Sequence, residues 1–215
     1  MKKTGLFGGT FDPVHNGHLA IGRAALRQLA LDVLYFIPAA SPPHKDERRI
    51  TPFPHRVAML RLAVAGEPRF VVSEVEGLRS GPSYTIDTLA HFRRSRERET
   101  EFFFLIGLDA FAEITTWKRY GELLHSASFV VINRPSHGCQ SVASVVAGSF
   151  PDYEAEAEGV WKKEGSNRIY SLAMAPSPVS SSMVRQRLGR GEAVDDLLPP
   201  GVPAYLRQHR LLGAA

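Results

Sequence analysis

The sequence predicts an α/β fold, a parallel sheet of five or six strands covered by helices. Two observations carry this reading. Short apolar, β-branched or aromatic runs recur along the chain, and segments with apolar residues at helical spacing lie between them. Strands are expected at 4–7, 33–37, 70–75, 102–106 and 129–132, with a weaker one at 169–174. Helices are expected at 19–29, 55–65 and 84–94, the second with Val57, Leu60 and Val64 near helical spacing. These serve as crossovers between strands. A parallel sheet binds its ligands at the carboxyl ends of its strands, so the loops after Phe7, Ile37, Ile106 and Met174 are where chemistry is expected.

With 215 residues the chain is long enough for one sizeable core, read here as one domain. Its core spans 1–176, and a C-terminal extension over 177–215 carries two short helical patterns at 183–188 and 203–210. Segment 39–53 is rich in proline and charge and reads as a long loop over the strand ends. Segment 134–165 mixes glycine, serine and acidic residues, with one helix expected near 141–147.

Composition excludes several classes. The chain is 44% hydrophobic and 22% charged, with no apolar run approaching the length of a membrane span. Met1-Lys2-Lys3 leads into glycines rather than an apolar export stretch, so the cytoplasm is the expected location. Cys139 is a single cysteine, which excludes an internal disulfide framework and a multi-cysteine zinc site. A net charge of +4 suits anionic partners. The densest basic run, Arg93-Arg94-Ser95-Arg96-Glu97-Arg98, is broken by an acid and lacks interleaved aromatics, so it reads as a solvated helix end rather than a nucleic-acid surface. Neither a nucleic-acid nor a membrane partner is expected, and no motif specifies an oligomeric state.

The chemistry concentrates in Gly8-Gly9-Thr10-Phe11-Asp12-Pro13-Val14-His15-Asn16-Gly17-His18. Gly8 and Gly9 close the first strand, where missing β-carbons let backbone approach a ligand. Asp12-Pro13 makes a turn and Asn16 is the expected N-cap of the following helix. His18 then lies in the first helical turn, where free N–H groups and the macrodipole favour anions, and His15 reaches the same volume. Two imidazoles at this spacing are also a candidate metal pair, with Asp12 as the nearby third ligand. Neither Gly-x-Gly-x-x-Gly nor Gly-x-x-x-x-Gly-Lys-Ser/Thr is present in this segment. Near the other end, Ser180-Ser181-Ser182 forms an N-cap cluster with Arg185 one turn later, a fitting clamp for a polyphosphate.

The first segment resembles the leading signature of the nucleotidyltransferase superfamily marked by His-x-Gly-His. The likeness runs along nearly the whole chain. Pro42-Pro43-His44-Lys45, Pro82-Ser83-Tyr84-Thr85-Ile86-Asp87-Thr88-Leu89, Ile106-Gly107-Leu108-Asp109, Trp117, Arg134-Pro135 and Val179-Ser180-Ser181-Ser182-Met183-Val184-Arg185 resemble, in order, the bacterial nicotinate-mononucleotide adenylyltransferase family. Val179 and Ser182 replace that family's isoleucine and threonine conservatively. Ala39-Ala40-Ser41 lacks an asparagine often found there. The resemblance implies a Rossmann-like doubly wound sheet and transfer of adenylyl from ATP to nicotinate mononucleotide. It implies ATP contacts from Gly8, Gly9, Thr10, Phe11, His15, His18, Gly107, Asp109, Ser180, Ser181, Ser182 and Arg185. Lys45, Thr85, Trp117 and Arg134 would hold the mononucleotide, Trp117 by stacking on the nicotinate ring. Mg²⁺ would accompany ATP, held mostly by phosphate oxygens and water rather than by protein ligands.

A phosphate monoester is mostly dianionic at neutral pH, with a second pKa near about 6, and needs no general base. His15, His18 and Arg185 are therefore expected to align two anions and stabilise charge at the α-phosphorus. Competing readings are adenylyl or cytidylyl transfer to nicotinamide mononucleotide, phosphopantetheine or a phosphorylated alcohol, and an inactive nucleotide-binding regulator.

Overall fold

Six strands run parallel: β1 (Lys2–Gly9), β2 (Val33–Pro38), β3 (Phe70–Val72), β4 (Thr100–Gly107), β5 (Ser128–Ile132) and β8 (Ile169–Leu172). Two more, β6 (Glu154–Ala157) and β7 (Val160–Lys162), form an antiparallel hairpin that joins the free edge of β8. The order is β3-β2-β1-β4-β5-β8-β7-β6. This computed structural model describes residues 1–42, 50–95, 99–133, 141–174 and 179–213.

The period of two along each strand sorts side chains to opposite faces. On β4, Phe103 and Leu105 enter one core while Phe102, Phe104 and Ile106 enter the other. Burial on both faces explains why the parallel strands read as continuous apolar runs. The first core takes α1 (Asn16–Gln28), α2 (Phe53–Val64), α7 (Ser181–Gly189) and α8 (Val202–Gln208). The second takes α3 (Thr85–Ser95), α4 (Leu108–Ala112), α5 (Tyr120–Ser126) and α6 (Val142–Ser149). Val184, Leu188, Val202 and Leu206 are buried beside residues of α1 and α2, so the C-terminal helices complete the first core.

The sheet has eight strands rather than five or six. All four residues of β6 are exposed and read Glu-Ala-Glu-Ala, which carries no apolar alternation for a strand search to find. What holds it is local. Gly159 turns the hairpin at φ +69°, and Arg168 grips Glu156 through Nε at 2.5 Å and Nη2 at 2.9 Å. The helices α4 and α5 were also absent from the sequence reading, being too short to show periodicity. The expected helix near 141–147 is α6, capped by the Ser141 side chain accepting from Ser144 N–H.

Candidate active site

The connection after β1 leads to α1 on one face, and that after β4 leads to α4 on the other. Because β1 and β4 are neighbours, a crevice opens between their carboxyl ends, the usual ligand position in such sheets. Gly8, Gly9 and Gly107 all lie at this edge. Gly9 serves packing here: a β-carbon on it would lie 3.0 Å from Phe11 Cζ. Phe11 sits in left-handed backbone at φ +51°, a conformation that costs a non-glycine residue about 1–3 kcal/mol. Its ring is 2% exposed and packs edge-on against Phe7 and His18, with centroids 5.5 and 4.9 Å away.

The residue that caps α1 is His15 rather than Asn16. Asn16 is drawn the other way, its N–H donating to Leu197 O at 2.9 Å and its side-chain amide to Asp196 O at 3.1 Å. His15 is buried, and its backbone N–H donates to Nδ1 of His18 at 3.2 Å. The two rings stack with centroids 3.7 Å apart. Since Nδ1 of His18 accepts, a ring proton on His18 sits at Nε2, making that nitrogen a donor. Asp12, the third ligand of the candidate metal pair, spends Oδ2 on Thr51 N–H at 3.2 Å. Among the described residues no three histidine, cysteine or acidic groups cluster as a metal site.

The start of α7 docks onto the same loop. Ser180 Oγ caps the helix by accepting from Met183 N–H, and Ser181 Oγ donates to Pro13 O at 3.0 Å. Arg185 donates through Nη1 to Asp12 O at 2.7 Å and through Nη2 to Ser182 Oγ at 3.1 Å. The three hydroxyls thus have protein partners, while the Ser181 and Ser182 N–H groups stand outside the intrahelical ladder, as first-turn donors do. The two segments singled out in the sequence, 168 to 173 residues apart in these bonds, meet in one place.

On the opposite side of the crevice, Asp109 is exposed in the first turn of α4, and its Oδ1 lies 2.5 Å from where a Gly107 β-carbon would be. The carboxylate folds over Gly107. Thr85 and Trp117 line one cavity of about 250 Å³ with Tyr84 and Lys118. Lys118 was not picked out in the sequence, where it is one more exposed lysine. Its Nζ lies 4.4 Å from the Tyr84 ring centroid and donates to Asp87 Oδ2 at 3.1 Å. Ser83 Oγ accepts from the N–H groups of Ala40 and Ser41, at 3.0 and 3.2 Å, which ties the 39–53 segment to this cavity. Lys45 and Arg134 lie outside the described residues.

A second residue missed in the sequence is Arg56, read there as part of an ordinary helix. It is 1% exposed, donating through Nε to Thr51 O at 2.8 Å and through Nη1 to Thr10 O at 2.9 Å. Burial lowers its pKa from the ordinary arginine value, while the Asp12 and Glu76 carboxylates act in the opposite direction.

A family model described as cytidylyltransferase-like matches residues 6–187, which take in the crevice from Gly8 to Arg185. The chain belongs to the cytidylyltransferase-like family. Within it, the chain is 41% identical over 214 residues to a probable nicotinate-nucleotide adenylyltransferase of Desulfotalea psychrophila, covering 98% of this chain and 100% of the relative. It is 38% identical over 212 residues to a protein of the same name from Geobacter metallireducens, covering 97% of each. The fold of this chain is similar to that of a Plasmodium falciparum nicotinic acid mononucleotide adenylyltransferase complexed with NaAD. That structure matches with a TM-score of 0.75 at 18% identity, covering 100% of this chain and 99% of the other.

Proposed function

We propose that this chain is a nicotinate-nucleotide adenylyltransferase that transfers adenylyl from ATP to nicotinate mononucleotide. The products are nicotinate adenine dinucleotide and pyrophosphate, a step of NAD biosynthesis. The observation that carries the reading is the docking of the α7 N-terminus onto residues 12 and 13 of the loop that leads into His15 and His18, since it brings the two segments singled out in the sequence into contact. Full-length relatives at 41% and 38% identity carry the name of this activity.

In the reaction a phosphate oxygen of the mononucleotide attacks the α-phosphorus of ATP. The bond from the α-phosphorus to the bridging oxygen breaks, and its electron pair leaves on pyrophosphate. The nucleophile arrives ionised, so no side chain removes a proton. Nε2 of His18 and the Ser181 and Ser182 N–H groups donate to phosphate oxygens, and Arg185 adds positive charge beside them. His15 occupies the N-cap position of α1 and fixes the His18 ring through its own N–H. Gly107 and Asp109 are assigned to adenosine, Asp109 as acceptor for ribose hydroxyls. The mononucleotide is assigned to the cavity of Thr85 and Trp117, its ring against the indole, with Lys45 and Arg134 as further contacts. ATP would enter as its Mg²⁺ complex. The loop's one carboxylate, Asp12, spends Oδ2 on Thr51 N–H, which fits an ion held mostly by phosphate oxygens and water.

The proposal puts the reaction in the cytoplasm, where ATP is retained because a multiply charged nucleotide does not cross a bilayer unaided. Among the described residues no helix is long and apolar enough to span a membrane. No nucleic acid takes part. The test is pyrophosphate release from ATP with nicotinate mononucleotide, nicotinamide mononucleotide and phosphopantetheine in parallel. The proposal expects the highest kcat/KM with the first; higher values with either of the others would replace it.

A further inference from the structure

The loop that leads into the two histidines is gripped by two guanidinium groups. Arg185 holds Asp12 O from α7, and Arg56 holds Thr10 O from α2. The second grip bears on more than stability. A peptide unit is planar and trans, so a Thr10 carbonyl directed at Arg56 turns the Phe11 N–H the opposite way, away from α2. The same bond closes onto Phe11, whose backbone is left-handed at φ +51° and whose ring seats His18.

Arg56 also touches the end of the 39–53 segment. That segment leaves β2 with Ala39 N–H donating to Gly9 O at 2.9 Å, and it returns with Thr51 N–H donating to Asp12 Oδ2. One end is thus fastened to the last residue of β1 and the other to the β1–α1 loop. Arg56 closes the second attachment by taking Thr51 O and Thr10 O with one planar group. Phe53 lies under the guanidinium at 5.5 Å from its ring centroid, and is itself seated against Gly77, where a β-carbon would fall 2.3 Å from Phe53 Cε1.

We propose that Arg56 is a positioning residue for the transfer reaction: it holds the Thr10–Phe11 peptide and the end of the 39–53 segment in one register, so that the phosphate loop and the mononucleotide side of the site are set together. It touches neither substrate and acts through Thr10, Phe11 and Thr51. Lysine keeps the charge but offers no fork to span two carbonyls, so it does not replace arginine here.

This rests on the adenylyl-transfer reading above, and its test is arranged to fail separately. The variants are Arg56→Lys, Arg56→Ala and Arg56→Met, with thermal unfolding recorded for each. If the wild type turns over no nucleotide, the functional reading fails and this assignment goes with it. With an active wild type, Arg56→Lys is expected to unfold cooperatively and to lose about tenfold or more in kcat, with KM for ATP changed by less than that factor, as misplaced reacting groups require. Millimolar guanidinium, far below denaturing concentrations, is expected to restore kcat severalfold in Arg56→Ala, where the side chain leaves a cavity. It should not do so in Arg56→Met, where that space is filled. A folded Arg56→Lys with wild-type kcat overturns the assignment. So does an Arg56→Ala variant, or if that does not fold an Arg56→Lys variant, whose lost activity is accounted for by its unfolded fraction alone.

Discussion

His15 and His18 hold each other in place: the backbone N–H of one donates to Nδ1 of the other at 3.2 Å, and their rings stack at 3.7 Å. With Nδ1 accepting, the ring proton of His18 sits at Nε2, which is the nitrogen assigned to the phosphate oxygens. His18→Ala is therefore expected to lower kcat by about a hundredfold or more, with a smaller change in either KM, as loss of a transition-state donor does. Steady-state kinetics with both substrates varied check this, and near-normal turnover would remove the role.

Arg185 spans Asp12 O and Ser182 Oγ with two nitrogens of one plane. An ammonium lacks this planar fork. Arg185→Lys is accordingly expected to cost about tenfold in kcat/KM for ATP despite the conserved charge, and Arg185→Ala more. An equal kcat/KM for the lysine variant would show that charge alone suffices.

Much of the site was legible because it lies where chain chemistry is local. The glycines of β1, the two histidines and the serine cluster occupy strand ends and helix starts, which announce themselves in a few adjacent residues. Arg56 and Lys118 were not legible. Each depends on a partner far along the chain, Thr10 in one case and Asp87 in the other, and an arginine or lysine in a helical pattern carries no mark of what it will meet. The N-cap shows the same limit. Asn16 is the better capping residue by type, but its side chain is claimed by Asp196, and His15 takes the position. In the fold, the buried parallel strands were plain from their apolar runs. The β6–β7 hairpin was not, because its stability comes from pairing with β8 and from Arg168 rather than from its own composition.

Lys118 is the charged residue lining the cavity shared by Thr85 and Trp117. A carboxylate on a ring stacked against Trp117 would draw on this cation, whereas a neutral carboxamide would not. Lys118→Met is expected to lower kcat/KM for nicotinate mononucleotide by about two- to fivefold, the range of a partly exposed ion pair, and to leave the value for nicotinamide mononucleotide unchanged. Parallel losses with both would assign Lys118 to general packing.

The Glu156 carboxyl is held below its usual range, chiefly by the hydrogen bond from Arg168. A lowered folded-state pKa contributes stability above the unfolded value of 4.5, and that contribution is lost as pH falls through the lower folded value. The difference in melting temperature between wild type and Glu156→Gln is therefore expected to be small and constant at neutral pH and to shrink toward zero in acid. Thermal unfolding across that range measures it; a difference that grows in acid contradicts the assignment.

Direct transfer of adenylyl from ATP to nicotinate mononucleotide is tested most squarely by quenched turnover with ATP labelled at the α-phosphorus. The label is expected in nicotinate adenine dinucleotide, matched by an equal amount of pyrophosphate, with none on the acid-precipitated protein. Label retained on the chain, or ATP consumed without dinucleotide, would contradict it.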